Sequence, residues 1–266
     1  MSIMQRIQHR VQQANSLVCV GLDPDLVHLP RHTDLANTIF NFNRRIIDAV
    51  HDYVLAFKPN ISFYEAAGID GMKALQQTAD YLHEHHPDII TICDAKRGEI
   101  ANSSRGYVRG IFDIMGFDAV TLSPYVGQDG LSPFLEREDK LSIILCRMSD
   151  AGANEFQTLS VDGHPLWYRV AERVTQTWNT RQNCALVMGA TFPEAMAQLR
   201  QLDAHIPLLV PGIGSQGGSI EASVRMGQSA DGAGLFLSAS RSIIYADDPA
   251  QAARQLRDES NRYRIK

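Results

Sequence analysis

Short apolar runs recur along the chain and alternate with stretches that place apolar residues at helical spacing. Eight runs have the length and composition of buried strands: residues 16–22, 54–57, 89–93, 118–122, 142–146, 184–188, 207–210 and 234–237. Between the first two runs, apolar positions at 35, 39, 42, 46 and 50 follow the 3.6-residue period of an amphipathic helix. The pattern therefore predicts eight units, each a strand followed by a helical segment.

The remaining helices are predicted at residues 64–86, 103–115, 131–138 and 166–177, with two more that begin near Pro193 and Pro249. Thr191 and Glu194 have the spacing of a capping box, and Asp248 stands where a helix N-cap is expected. Residues 150–164 are predicted to be a long loop. Strands that alternate with helices form a parallel sheet, and eight such units without a linker predict one (β/α)8 barrel domain over residues 1–266.

An open, doubly wound sheet is the alternative architecture. A nucleotide-binding protein of that type often carries G-x-x-x-x-G-K-[ST] after its first strand, and this chain has no such motif there. In a barrel, the strand C-terminal ends meet at one rim, where active sites are built. The barrel prediction therefore brings one set of distant polar residues to a common mouth: Asp23, Lys58, Asp94, Lys96, Ser149, Gln216 and Arg241.

The densest group of charges, Asp94 to Glu99, follows the third apolar run. Two-residue alternation in an extended chain puts Asp94 and Lys96 on the same face. A carboxylate beside an ammonium keeps both groups charged, and a lysine held in this way is suited to deliver a proton at a fixed point. The alternative is a salt bridge at the end of a strand with no role in chemistry.

The segments after the seventh and eighth strands have features of a phosphate site. The first, residues 211–218, is rich in glycine and contains Gln216, and the second contains Arg241. Glycine lets backbone N–H groups approach an anion, and the guanidinium of arginine donates to its oxygens in pairs. The glycine-rich segment also fits an ordinary strand-to-helix turn.

Composition and charge narrow the classes of function. The 266-residue chain has a formal net charge of −5 and no run of basic residues, which argues against a nucleic-acid-binding protein. No apolar stretch has membrane-spanning length and the N-terminus lacks a signal-peptide core, so a cytoplasmic location is expected. The four cysteines lie in apolar runs and are predicted to be buried thiols, and the histidines at 83, 85 and 86 to form a solvated helix end.

At residues 94–100 the chain reads D-A-K-R-G-E-I, which resembles the D-x-K-x-x-D-I motif of orotidine 5'-phosphate decarboxylases, in the bacterial branch with DAKRGDI. Residues 57–60, 126–129, 145–149, 209–218 and 240–241 also resemble that branch, in the same order along the chain. The resemblance implies loss of CO2 from orotidine 5'-phosphate to give uridine 5'-phosphate, the last step of de novo pyrimidine synthesis. It also implies that the reaction uses no metal and no organic cofactor.

The resemblance assigns roles to residues of this chain. Lys96 would protonate C6 of the pyrimidine as CO2 leaves, Asp94 would face the departing carboxylate, and Lys58 would hold Asp94 and contact the ribose. The residues implied to bind the rest of the nucleotide are Asp23 for a ribose hydroxyl, Ser149 and Gln216 for the pyrimidine, Gln216 and Arg241 for the phosphate, and Pro211 in the segment beside them.

Glu99 and Ser103 stand at positions that, in the family, reach into the neighbouring subunit's site, so a homodimer with shared active sites is implied. The family has Asp where this chain has Glu99, which is one methylene longer. Because a misplacement of about 1 Å can cost roughly 100-fold in rate, we expect nucleotide binding with slower turnover than in relatives with Asp. Two alternatives are a nucleotide-binding barrel with impaired catalysis and a related metal-dependent sugar-phosphate decarboxylase, against which Lys58 on the second strand argues.

Overall fold

The computed structural model describes residues 1–30, 33–214 and 217–265. Eight parallel strands close into a barrel in which each strand pairs with the next along the chain and the last pairs with the first. They are β1 (Val18–Gly21), β2 (Ala56–Lys58), β3 (Ile90–Arg97), β4 (Ala119–Leu122), β5 (Leu141–Arg147), β6 (Cys184–Met188), β7 (Leu208–Pro211) and β8 (Leu235–Ala239). The predicted (β/α)8 barrel is confirmed, and the open sheet is wrong.

Helices surround the barrel. They are α1 (Ile3–Ala14), α2 (Leu35–Val50), α3 (Ile61–Glu65), α4 (Gly68–His85), α5 (Ala101–Val108), α6 (Gly127–Leu135), α7 (Asn154–Gln157), α8 (Leu166–Arg173), α9 (Pro193–Leu202), α10 (Ile220–Gly227), α11 (Arg241–Ile244) and α12 (Pro249–Tyr263). The strands are buried almost throughout and their apolar side chains form the core with the inner faces of the helices. All four cysteines are buried free thiols, as predicted.

Three local predictions are wrong. The helix predicted at 64–86 is two helices, because Gly68, the first residue of α4, has a left-handed backbone (φ 64°) that interrupts the helical path after α3. The loop predicted at 150–164 contains α7 and a two-stranded hairpin made of Ser160–Val161 and His164–Pro165. The capping box does not form: the N-cap of α9 is Phe192 without a side-chain cap, and the Thr191 hydroxyl donates to the Ser149 carbonyl at 3.4 Å.

The N-terminal helix closes the base of the barrel. Arg6 of α1 donates to the buried carboxylate of Asp118 at 2.5 Å, and Asp118 also accepts from the amide and hydroxyl of Thr91 at 3.0 and 3.1 Å. Arg10 of the same helix donates to the Val54 carbonyl and to Asp88. These bonds tie α1 to the N-terminal ends of the strands, so the opposite rim is the open one.

Candidate active site

A buried carboxylate joins two lysines at the C-terminal rim. Asp94 of β3 accepts from Lys58 Nζ of β2 at 3.0 Å through Oδ2 and from Lys96 Nζ at 2.7 Å through Oδ1. The Lys58 and Asp94 side chains are only 8% and 10% exposed, whereas Lys96 is 41% exposed. The arrangement therefore contains one lysine fixed inside the barrel and one that faces the mouth.

The backbone of β3 is shaped to aim this group. The strand continues through the motif to Arg97, beyond the apolar run that predicted it, and its pairing with β4 shifts register between Cys93 and Arg97. Lys96 has a left-handed backbone (φ 48°), which is uncommon for a residue with a side chain. The Thr121 hydroxyl donates to Asp94 Oδ1 at 2.8 Å and accepts from the Lys96 amide at 2.9 Å, so Thr121 holds both residues of the pair.

The charges of this group stabilise one another. Burial alone would raise the pKa of Asp94, but the ammonium groups of Lys58 and Lys96 outweigh it and hold that pKa well below its usual range. Burial would likewise lower the pKa of Lys58, but the carboxylates of Asp94 and Asp23 outweigh it and raise that pKa above its usual value. At neutral pH, Asp94 is therefore a carboxylate and Lys58 an ammonium.

A cavity of about 440 Å³ opens beside this group. Lys58, whose ammonium contacts Asp94, also lines the cavity, together with Asp23, Asn60, Pro211, Ser240, Arg241 and Tyr245 among others. Asp23 follows β1, and its Oδ1 accepts from the amide of Asn60 at 3.0 Å. The cavity thus places a carboxylate, an ammonium and a guanidinium around one volume large enough for a small organic molecule.

The two segments predicted to hold phosphate meet at this cavity. Pro211, the last residue of β7, and Gly212 line it, as does Arg241, the first residue of α11. A side chain in place of Gly218 would approach Ala190 to 2.3 Å, which explains why glycine is required at that position. Gln216 lies outside the described residues.

Ser149 follows β5 on another part of the rim and packs against Gly189, where an added Cβ would come within 2.7 Å of the Ser149 amide nitrogen. Buried Arg147 organises the segment after it, with bonds to Asn154 at 2.6 Å and Gln157 at 3.3 Å. The guanidinium of Arg147 also lies 3.6 Å from the ring centroid of Phe192. These contacts attach the α7 segment to the strand that carries Ser149.

Glu99 and Ser103 do not join the charged group of their own chain. Both are exposed, and the Glu99 carboxylate accepts from the amide of Ile100 at 3.2 Å. The structure therefore brings Asp23, Lys58, Pro211 and Arg241 together around the cavity, and Asp94 and Lys96 are joined to them through Lys58. Asp94, Lys96 and Ser149 are not themselves part of the cavity lining. In the described ranges, no group of three His, Cys, Asp or Glu side chains could hold a metal ion.

Three residues that support this site were missed from the sequence. Thr121 could have been found, because it is the hydroxyl residue of β4, an otherwise apolar strand adjacent to the motif. Asn60 acts through its backbone amide, and Tyr245, described below, acts across 220 residues of sequence, so neither left a local signal.

A barrel with a lysine–aspartate–lysine group beside a cavity at the C-terminal rim belongs to the class of barrel enzymes that act at that face. Comparison with known proteins identifies the family within this class. The family model for orotidine 5'-phosphate decarboxylase / HUMPS matches residues 16–256, and the chain belongs to this family.

Relatives match over almost the whole of this chain. The orotidine 5'-phosphate decarboxylase of Ralstonia pickettii (strain 12J) is 45% identical over 261 residues, which cover 95% of this chain and 96% of that protein. The structure of Leishmania donovani OMP decarboxylase superposes with a TM-score of 0.89 at 37% identity and covers 99% of both chains. Leishmania donovani UMP synthase superposes with a TM-score of 0.90 at 38% identity over 99% of this chain, which spans 56% of the synthase chain.

Proposed function

We propose that this protein is a lyase that converts orotidine 5'-phosphate into uridine 5'-phosphate and CO2, the last step of de novo pyrimidine synthesis. The observation that carries the proposal is the Lys96 ammonium, held 2.7 Å from the buried Asp94 carboxylate at the mouth of the barrel. Family membership and near full-length relatives that bear this activity in their names support it. The alternatives, a binding-only barrel and a metal-dependent sugar-phosphate decarboxylase, have no comparable support.

In the proposed reaction, the bond between C6 and the carboxylate carbon breaks and its electron pair stays on C6. Lys96 then transfers a proton from Nζ to C6, so that the lysine leaves this step as a neutral amine and CO2 departs. A fixed ammonium stabilises negative charge as it develops, without having to reorganise. Asp94 keeps that ammonium in place, and its own charge repels the substrate carboxylate until CO2 is released.

The rest of the substrate is bound away from the bond that breaks. Asp23 accepts a bond from a ribose hydroxyl, Lys58 contacts the ribose, Ser149 and Gln216 contact the pyrimidine, and Gln216 and Arg241 bind the phosphate beside Pro211. Phosphate binding far from C6 supplies free energy that can be used to hold the pyrimidine in its reactive position. We expect no metal ion and no organic cofactor in this reaction.

We also propose that two copies of the chain pair so that Glu99 and Ser103 of one reach the site of the other. Both side chains are exposed, and they are accompanied by apolar side chains exposed to solvent, Ile100 at 67% and Tyr125 at 97%. The turn that carries Tyr125 packs against the D-A-K-R-G-E-I motif of residues 94–100, since an added side chain at Gly98 would meet Ser123 and Val126.

No helix of the described ranges has the length and apolar character needed to cross a membrane. We propose a cytoplasmic location.

The test is the ultraviolet absorbance change when orotidine 5'-phosphate is added to the purified protein, in parallel without and with excess EDTA. We expect decay to the spectrum of uridine 5'-phosphate, at a rate unchanged by the chelator. A flat trace at high protein concentration would contradict the proposed activity. Decay that stops on addition of EDTA would instead point to the metal-dependent alternative.

A further inference from the structure

Tyr245 fastens the segment after β8 to the segment after β1. Its hydroxyl accepts from the amide of Asp25 at 2.8 Å and lies 3.4 Å from the carbonyl of Asp23, to which it donates. A tyrosine hydroxyl has one hydrogen and accepts through oxygen, so these two bonds use its donor and one acceptor position. The hydroxyl therefore holds the backbone on both sides of Pro24, directly beside the carboxylate predicted to bind the ribose.

The ring of Tyr245 is held in place by packing. Its centroid is 4.8 Å from that of His28 and 5.6 Å from that of Phe42, which comes from α2. The ring also lines the 440 Å³ cavity. Because neighbours fix the ring independently of its hydroxyl, removal of the oxygen should loosen the backbone of residues 23–25 without displacing the aromatic side chain. Asp23 Oδ1 then still accepts from the amide of Asn60.

Two sets of hydrogen bonds join the segment after β8, which carries Arg241, to the end of β1 and the segment after it, which carries Asp23. Besides the bonds of Tyr245, the Ser240 hydroxyl donates to the Gly21 carbonyl at 3.3 Å. Arg241 lies between these attachments, at the start of the four-residue helix that Tyr245 follows. The position of the Asp23 segment is therefore tied to that of the segment that carries Arg241.

We propose that Tyr245 is a positioning residue that acts through Asp23, fixing its carboxylate relative to Arg241 so that the ribose and phosphate of one nucleotide are bound together. The proposal rests on the proposed function, because it concerns the same site. The bond between the Asp25 amide and the Tyr245 hydroxyl is half-buried, so water can replace it in a Tyr245→Phe variant. We accordingly expect the hydroxyl to matter more for the position of Asp23 than for folding.

A double-mutant cycle of Tyr245→Phe and Asp23→Asn tests this coupling, with kcat/KM for orotidine 5'-phosphate measured in all four proteins. We expect Tyr245→Phe alone to lower kcat/KM about 10-fold, since small misplacements of substrate-binding groups are costly. In the Asp23→Asn background, the same change should cost about 2-fold or less, because the group it positions is already altered. The thermal midpoint of Tyr245→Phe should lie close to that of wild type.

Tyr81→Phe is the matched control. It removes a tyrosine hydroxyl that bonds Asp48 at 2.6 Å on the outside of the barrel, so it should leave kcat/KM unchanged. Equal losses from Tyr245→Phe in both backgrounds, or no loss at all, would overturn the inference while leaving the proposed function intact. Failure of Tyr245→Phe to fold would also overturn it, because the hydroxyl would then be structural. A wild-type protein without turnover would overturn both.

Discussion

Two buried aspartates at opposite ends of the barrel use similar contacts for different purposes. At the base, Asp118 accepts from the Arg6 guanidinium and from the amide and hydroxyl of Thr91. At the mouth, Asp94 accepts from two lysines and the hydroxyl of Thr121. Each carboxylate is almost inaccessible, each has a threonine on the adjacent strand, and each is balanced by cations.

The difference lies in the cations and in what they face. An arginine keeps its proton under all ordinary conditions and offers a rigid planar fork, which suits a permanent clamp such as that between α1 and the base. A lysine is a compact ammonium that can give up a proton. Lys96 is partly exposed at the open rim. A buried acid with a cationic partner is thus not by itself an active site, and the partner's chemistry and access to substrate make the distinction.

The largest effect is expected from Lys96→Ala, which removes the proposed proton donor. We expect kcat to fall by about 10⁴-fold, the upper end of the roughly 10²–10⁴-fold that a positioned general acid contributes. Lys96→Arg should also lose turnover, because arginine keeps the positive charge but does not release its proton. Lys73→Ala, which removes an exposed lysine of α4, is the control. Turnover by Lys96→Ala within tenfold of wild type would contradict the assigned role.

Replacing each of the two buried aspartates by asparagine tests whether the mouth serves catalysis and the base serves stability. Asp94→Asn should lower kcat/KM by about 100-fold or more, because it releases Lys96 from its position. Asp118→Asn should leave kcat/KM within about twofold and lower the free energy of unfolding by about 2 kcal/mol, since it weakens the clamp on Arg6 and Thr91. Steady-state kinetics and denaturant unfolding of both variants measure the two effects. A large loss of turnover in folded Asp118→Asn would break the distinction between the two ends.

The raised pKa of Lys58 predicts a smaller effect on stability at alkaline pH. Because the folded protein holds this proton more tightly than the unfolded chain, the contribution is complete below about pH 10, the ordinary range for lysine, and is lost as the pH rises from there through the folded-state pKa. Relative to Lys58→Met, wild type should lose at most about 1.4 kcal/mol of unfolding free energy per pH unit in that range. A difference that is already changing between pH 7 and pH 9 would contradict the pKa direction.

The smallest effect is expected at Glu99. Glu99→Asp gives the side-chain length of the D-x-K-x-x-D-I motif that residues 94–100 resemble, and kcat/KM should stay the same or rise by up to about 10-fold. Glu84→Asp, the same change at an exposed position of α4, should have no effect. A clear loss on Glu99→Asp would show that the longer side chain is required in this protein.

The barrel was predictable because buried parallel strands are continuous apolar runs, and β6 was predicted to the residue. The common rim follows from the rule that the C-terminal ends of barrel strands meet at one face, which places Asp23, Lys58, Asp94 and Lys96 together from the sequence pattern alone. Strand ends were less accurate: β3 continues through Asp94 to Arg97, although charged residues are poor indicators of a strand. Asp has a low intrinsic preference for strands. The bonds of Asp94 to Thr121 and Lys58 stabilise the extended backbone at this position instead.

What the sequence did not indicate depends on contacts between distant segments. The Tyr245 hydroxyl reaches the Asp23 segment only because β8 closes on β1, and Arg6 reaches Asp118 only because α1 crosses the base. The capping box at Thr191 failed because α9 begins one residue later than that spacing requires: Phe192 is the N-cap, and the Thr191 hydroxyl donates to the distant Ser149 carbonyl. Local patterns predict elements, and tertiary partners decide which side-chain bonds form.

The most direct measurement of the central claim, that an exchangeable ammonium protonates C6, is the reaction of wild-type protein with orotidine 5'-phosphate in D2O. Proton NMR of the product reports the isotope at C6. We predict uridine 5'-phosphate with deuterium at C6 in essentially every molecule, while uridine 5'-phosphate added in advance keeps its hydrogen there. Product that carries hydrogen at C6 would contradict delivery from Lys96, whose protons exchange with the solvent.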